Sequence, residues 1–184
     1  GNNSSVQIIS TAKRMAPNRH IGYVFGHMPQ AATQIASYAR AAKAISNMRR
    51  YKIAYLPHRC NDAPMFDTFP DDTRMMGQTG VSISFAYIHE VEDELAKVSD
   101  KEEEALLRDV LNKYTLKEPS MDELRLAVRL AIALERVVAK HDLDAVAVDA
   151  FPEFAYRVHQ LPHIGADRLM DQGVVVACEG DLTA

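Results

Sequence analysis

The chain has 184 residues, of which 47% are hydrophobic and 25% are charged. This length and composition predict one soluble globular domain with a substantial core. The net charge of -4 gives no general attraction to nucleic acid or to anionic membranes, and no apolar run approaches the roughly 20 residues that span a bilayer. Cys60 and Cys178 are too few for a disulfide framework, which favours reduced thiols and a cytoplasmic location.

The first 50 residues predict two helices with a doubtful strand between them. Residues 6–15 predict a short amphipathic helix. Residues 21–25 fit a strand, but Gly22 and Gly26 weaken that interpretation. Residues 29–48 predict a longer, alanine-rich helix that is expected to pack against a sheet. Its apolar stripe consists of Ile35, Tyr38, Ala42 and Ile45.

The middle of the chain alternates strands with polar segments. Residues 52–56 predict a short strand, which Pro57 ends, and residues 58–70 predict a loop rich in Pro, Asn and Asp. A short helix capped by Asp71 or Asp72 follows. Residues 81–88 predict the clearest strand, because Val, Ile, Phe and Tyr cluster there.

The remainder predicts helices that alternate with buried strands. Residues 89–114 predict one charged helix whose acidic run, 102–104, is a solvated face. Ser120 and Glu123 form a capping-box pattern that opens a helix reaching about His141. Residues 144–149 predict a strand, followed by a loop containing Pro152 and Pro162, a short helix over residues 165–170, and a last strand. The predicted stripe of the long helix is Leu124, Val128, Ala131, Leu134 and Val138.

The alternation of helices with short apolar strands predicts a doubly wound α/β fold. The sheet is expected to be mainly parallel and flavodoxin-like, with helices on both faces. Residues 1–184 are interpreted as a single α/β domain. Because Ala184 follows so soon after the last predicted strand, the chain is expected to be a fragment of a larger protein.

Acidic and imidazole groups follow three of the predicted strands, at the edge where parallel sheets bind ligands. His58 lies after the second candidate strand, Asp149 after the strand over residues 144–149, and Glu179 and Asp181 after the last strand. His58 also fits a solvated loop histidine, and Asp149 also fits a turn or helix cap. Glu179 and Asp181 are harder to explain structurally, since an acid at the exit of a buried strand must be solvated, paired or metal-bound.

The last 40 residues carry a specific resemblance. Residues 173–182, G-V-V-V-A-C-E-G-D-L, resemble a segment of L-fucose isomerase and its relatives, and L-arabinose isomerases carry a similar G-E-G-D stretch. Residues 145–154 resemble the family's strand that is followed by an aromatic residue, Pro and an acid. Residues 167–173 resemble its lead-in to the glutamate strand. The chain is therefore interpreted as the central α/β domain of an L-fucose or L-arabinose isomerase-like protein.

The resemblance implies a metal-dependent aldose–ketose isomerase that acts on a small sugar and is incomplete without further domains. It implies that Glu179 binds a divalent cation, usually Mn²⁺, and takes part in catalysis. Asp181, Asp149 and His58 are then expected to contact the substrate or to support the metal ligands. It also implies a homo-oligomer, with no nucleic acid or membrane partner. The alternative, a sugar-binding or regulatory α/β module without chemistry, predicts the same sheet.

Overall fold

A computed structural model describes residues 2–19, 21–22, 24, 27–57, 71–118, 120–178, 180 and 182. The chain forms two compact units, Gly1–Ile45 and Ser46–Ala184. None of the described helices is both long and apolar enough to cross a membrane.

The first unit is helical. Helix α1 spans Asn2–Met15, and helix α2 spans Met28–Met48 and continues into the second unit. No described residue of α2 is buried. That its stripe packs on a sheet stays a prediction. The predicted strand over residues 21–25 lies partly outside the described residues, and residues 21, 22 and 24 are not in a strand.

The second unit alternates strands and helices along the chain. Its strands match the predicted ones at their centres, although β2 is shorter than expected because a helix begins at Ile88. The elements are β1 (Lys52–Leu56), α3 (Asp72–Thr79), β2 (Ser82–Phe85), α4 (Ile88–Ala96), α5 (Asp100–Lys113), α6 (Met121–His141), β3 (Ala145–Val148), a π-helix (Ala150–Val158), α7 (His163–Asp171) and β4 (Val175–Cys178).

The four strands form one parallel sheet in the order β2-β1-β3-β4. This order equals the first four strands of the flavodoxin-like order 2-1-3-4-5. The predicted parallel, doubly wound α/β fold is confirmed. The order reverses direction between β1 and β3, where Ile53 pairs with Ala145 and Leu56 with Val148.

The two faces of the sheet are covered unequally. One face, which includes Ala54, Leu56, Val146 and Val148, packs against α4, α6 and α7 and forms the main core. The other face has a small buried cluster of Tyr55, Ala147 and Leu182, against which Met75 of α3 packs. A groove of about 690 Å³ runs along this second face. Helices therefore lie on both faces, as predicted, but most of the core lies on one of them.

The segment predicted as one charged helix is two helices. Ser99 ends the connection after α4 and caps α5, with a reciprocal hydrogen bond between its backbone N–H and Glu102 at 2.9 Å. The predicted solvated face is also wrong at one position. Glu103 is buried and pairs with Arg125 and Arg129 of α6, whereas Glu104 is exposed. Glu102 of the same run also contacts α6, through Arg136, so two acids of the run join α5 to α6.

The long helix α6 follows its prediction closely. The Ser120 side chain accepts a hydrogen bond from the Glu123 backbone N–H, and the Glu123 carboxylate accepts one from the Ser120 N–H. All five predicted stripe residues are buried. The loop predicted after β3 is instead the π-helix, a rare element that is frequent at functional sites.

Candidate functional site

The carboxyl ends of β1 and β3 define the most favourable ligand position in this fold. Open parallel sheets bind ligands at this edge, in the crevice where the strand order reverses. Here the reversal lies between β1 and β3. The ladder continues just past the strands, because the Asp149 N–H donates to the Leu56 carbonyl at 2.8 Å and the Gly180 N–H donates to the Val148 carbonyl at 3.0 Å. The exits of three neighbouring strands are therefore held in register.

Asp149 stands at the reversal point itself. It occupies the residue before the π-helix in an extended conformation, with φ −85° and ψ 96°. Its side chain makes no capping hydrogen bond to that helix, so the interpretation of Asp149 as a helix cap is not supported. Its half-buried position at the strand exit is the one expected for a ligand-contacting acid.

Gly180 brings the exit of β4 directly beside Asp149. Gly180 is buried and adopts φ +68°, a conformation that L side chains rarely take. A Cβ added to Gly180 would lie 3.4 Å from Asp149 Cβ and 3.7 Å from Asp149 Cγ. The glycine therefore allows the exit of β4 to approach Asp149 closely.

Three of the four predicted site residues lie outside the described residues: His58, Glu179 and Asp181. Asp149 is the predicted site residue that the structure describes. The other three are known by chain position: His58 follows Pro57 at the exit of β1, and Glu179 and Asp181 flank Gly180 after β4. The roles assigned to these three residues stay predictions.

The donor chemistry of this edge fits a hard divalent cation. Asp149 supplies a carboxylate at this edge, the ligand type that suits Mn²⁺, and the chain positions that follow β4 hold two more acids, Glu179 and Asp181. Among the described residues, no group of three or more His, Cys, Asp or Glu side chains is arranged to hold a metal ion. A metal site at this edge thus depends on the residues that flank Gly180.

Glu153 is a further acid at this end of the sheet, and the sequence interpretation gave it no role. It lies in the first turn of the π-helix, and its Oε2 atom is buried with no hydrogen-bond partner among the described residues. The nearest cation is Arg157, whose Nη1 lies 3.7 Å away. Arg157 is already committed to Glu92, donating to its two carboxylate oxygens at 2.9 and 2.6 Å. In the sequence, the signal that could have indicated Glu153 is an acid four residues after the predicted strand over residues 144–149.

The exit of β2 adds an aromatic and imidazole pair. Tyr87 and His89 stack with their ring centroids 5.5 Å apart at the start of α4. The next residue, Glu90, accepts a hydrogen bond from Lys140 at 2.8 Å and contacts His141 at 2.9 Å. Burial raises the pKa of Glu90, but the hydrogen bonds from Lys140, His141 and the Tyr87 N–H outweigh it and hold the pKa at about 2. Glu90 therefore ties α4 to α6.

The fold defines the second unit as a flavodoxin-like α/β domain with Asp149 at its strand reversal. Residues 68–184 match the model of the L-arabinose isomerase central domain. Because this match covers well over half of the chain, the chain belongs to the L-arabinose isomerase central domain family. The resemblance inferred from the sequence is confirmed.

Curated relatives agree with this assignment. The chain is 27% identical over 165 residues to L-arabinose isomerases of Thermotoga petrophila and Thermotoga maritima. Each alignment covers 88% of this chain and 32% of the relative. The chain thus spans about a third of the length of the curated relatives it matches.

Proposed function

We propose that this chain is the central domain of a metal-dependent ketol-isomerase that interconverts an aldose and a ketose of the L-arabinose or L-fucose type. The observation that carries the proposal is the close approach of Gly180 to Asp149 at the strand reversal. Glu179 and Asp181 flank Gly180 in the chain, and we infer from this that they act at the edge where α/β sheets bind ligands. Membership of the L-arabinose isomerase central domain family supports the reaction type.

The residues of this edge suit the chemistry of such a reaction. Moving the carbonyl from C1 to C2 of an open-chain sugar requires a base that removes a proton from the carbon beside the carbonyl. Glu179 is the proposed base and the proposed ligand of a divalent cation such as Mn²⁺, which when bound polarises the sugar oxygens. Asp181, Asp149 and His58 are proposed to bind sugar hydroxyls or to orient Glu179.

Glu153 fits the same role as a hydroxyl-binding acid. A buried carboxylate oxygen without a hydrogen-bond partner among the described residues is costly, and a polar ligand that reaches it removes that cost. The link from Arg157 to Glu92 of α4 fixes the cation that neighbours it. We include Glu153 in the proposed site on this ground.

The active site is proposed to need parts beyond this chain. The resemblance assigns an acid and a histidine among the metal ligands to a following domain, and neighbouring subunits of a homo-oligomer to the pocket. The 184-residue chain alone is therefore expected to show no turnover of L-arabinose or L-fucose with Mn²⁺. Clear turnover by the purified chain would contradict this part of the proposal.

The decisive experiment replaces Glu179 with Gln in the complete protein. The amide keeps the shape but cannot act as a base and is a poorer ligand for a hard cation. Turnover is expected to fall by about 10²–10⁴-fold, and Mn²⁺ affinity measured by calorimetry is expected to fall as well. Glu104→Gln, an exposed change on α5, is the matched control and is expected to leave both unchanged.

Three outcomes separate the possible functions. Loss of turnover with weaker Mn²⁺ binding supports the isomerase. Near-normal turnover in Glu179→Gln removes this residue from the active site. Sugar binding by a complete protein that has no isomerase activity favours the binding module instead.

A further inference from the structure

A cavity of about 290 Å³ lies among α5, α6 and α7, within the second unit. None of the described residues that line it belongs to the candidate site. Its floor is formed by three apolar residues of the smaller core cluster, in which Val110 and Ile164 pack against the buried Leu124. This volume is near the lower limit for a small-molecule pocket, so the cavity has room for one small organic ligand and not for a helix or a strand.

Both described cations that line the cavity already have an acidic partner. Lys113 lies 3.1 Å from Asp109, which is one turn earlier in α5. Arg168 of α7 donates to Glu135 of α6 at 2.5 Å, and it also lies 3.9 Å from Asp109. An anionic ligand would therefore have to compete with existing ion pairs.

The charge that remains at the cavity is negative. Asp167 and Asp171 line it and are exposed, and neither forms an ion pair with any residue that the structure describes. They lie four residues apart on α7, where two like charges are unfavourable. Asp171 is also the last residue of α7, where an acid opposes the helix dipole.

The end of α5 adds to this negative potential. The helix ends at Lys113, and both Lys113 and Tyr114 line the cavity. The C-terminal end of a helix carries a partial negative charge, which attracts cations. Tyr114 is 62% exposed and offers an aromatic ring, whose face attracts organic ammonium groups. The cavity thus combines an apolar floor with several groups that favour a cation.

We propose that this cavity binds a small organic cation, an ammonium group carried on an apolar body of roughly ten heavy atoms. The apolar body contacts the floor, and the ammonium group lies at Asp167 and Asp171, where it relieves the repulsion between the two acids. This inference is independent of the proposed chemistry.

The first test compares three probes of similar shape and different charge: phenylbutylammonium, the neutral phenylbutanol and the anionic phenylbutyrate. Each is titrated into the 184-residue chain, and binding is followed by the NMR methyl signals of Val110, Leu124 and Ile164. The ammonium is expected to bind with a dissociation constant of about 1 mM or lower at low salt. It should bind about tenfold more tightly than the alcohol, and this advantage should shrink as salt screens the two exposed acids.

The second test locates the site with variants. The double substitution Asp167→Asn and Asp171→Asn keeps the shape of the cavity, and it should weaken binding of the ammonium about tenfold while leaving the alcohol unchanged. Asp93→Asn is the matched control, because Asp93 is an exposed aspartate of α4 that does not line the cavity, and it should leave all three probes unchanged.

Tyr114→Ala tests the aromatic contact separately and should weaken binding of both the ammonium and the alcohol. Since all of these positions are exposed, each variant should keep the circular dichroism of the parent chain.

Every other outcome contradicts the proposal. Equal affinity for the ammonium and the alcohol would mean that the two acids select nothing. Tightest binding of phenylbutyrate would mean that the cations of the cavity determine its ligand. Binding of the ammonium that survives both the double substitution and Tyr114→Ala would place it elsewhere on the chain. The absence of any methyl shift up to about 10 mM probe would remove the cavity as a ligand site.

Discussion

Helices α2 and α6 are both 21 residues long, yet α6 buries eight residues and α2 buries none among those described. The difference lies in the width of the apolar surface. In α6, buried residues occupy two adjacent stripes, so the helix can contact the sheet and its neighbouring helices together. The apolar stripe of α2, with Ile35, Tyr38, Ala42 and Ile45, is narrower. Equal length and the same helical periodicity therefore do not imply equal burial.

The two helices also differ in the capping and charge of their ends. Helix α6 starts with the Ser120 capping box and two acids, and ends with Lys140 and His141, so its charges complement its dipole. Helix α2 has no acid in its first turn and no cation in its last turn. Helix α6 is thus stabilised by its own ends and by the core, whereas the ends of α2 carry no charges that complement a helix dipole.

The largest effect is expected from removing a core side chain of α6. Leu130 is fully buried against the sheet, so Leu130→Ala leaves a cavity and should lower the free energy of unfolding by about 3–5 kcal/mol. Ile35→Ala, a comparable truncation on α2, should change it by no more than about 0.5 kcal/mol in dilute, monomeric solution. Urea denaturation followed by circular dichroism measures both. A similar loss in both variants would mean that α2 packs into the body of the chain.

The sequence predicts α6 well because its stripe, its cap and its end all depend on local pattern. For α2 the stripe was equally visible, but what it contacts is a tertiary property that spacing alone does not determine. The strand centres were likewise predictable, whereas the strand order and the resulting reversal point were not, since they arise from pairing between distant segments.

The acidic run of α5 shows the same limit at the level of a single residue. Three successive glutamates in a charged helix predict a solvated face, yet one of every three or four positions must face the neighbouring helix. Glu103 is that position, and two arginines on the stripe side of α6 accommodate it. At the candidate site, strand alternation located Asp149 at a strand end, but the approach of Gly180 to it required the fold.

The next largest effect should come from Glu103, which fastens α5 to α6. Its Oε2 accepts a hydrogen bond from Arg129 at 2.8 Å, and Arg129 also donates to the Val98 carbonyl at 2.6 Å. Hydrogen bonds from Arg129 and Arg125 lower the pKa of Glu103. Glu103→Gln removes the buried charge that pairs with both arginines, leaves Arg129 with the exposed Asp100 at 3.4 Å, and should cost about 2–4 kcal/mol.

Glu104→Gln is the matched control for this change, because it removes the neighbouring charge from an exposed position and should stay within about 0.5 kcal/mol. Both are measured by urea denaturation at pH 7. Equal, small effects of the two substitutions would mean that Glu103 behaves like a solvated acid. The contact between α5 and α6 would then depend on its apolar residues.

The smallest effect concerns the end of α6 and depends on pH. The side chain of Glu90 is 11% exposed, and hydrogen bonds from Lys140 and His141 keep its pKa at about 2 in the folded chain, below the ordinary value of 4.5. A carboxyl whose pKa is depressed by folding stabilises the fold above its unfolded pKa and loses that contribution as the pH falls towards its folded pKa.

Glu90→Gln should therefore cost about 1–2 kcal/mol at pH 7. The difference from the parent chain should be the same at pH 5 and should shrink between about pH 4.5 and pH 2, as Glu90 becomes protonated in the parent. Unfolding free energies at pH 7, 5 and 3 measure this, with the exposed Glu118→Gln as the control. A difference that persists undiminished at pH 3 would mean that shape, and not charge, holds α4 to the end of α6.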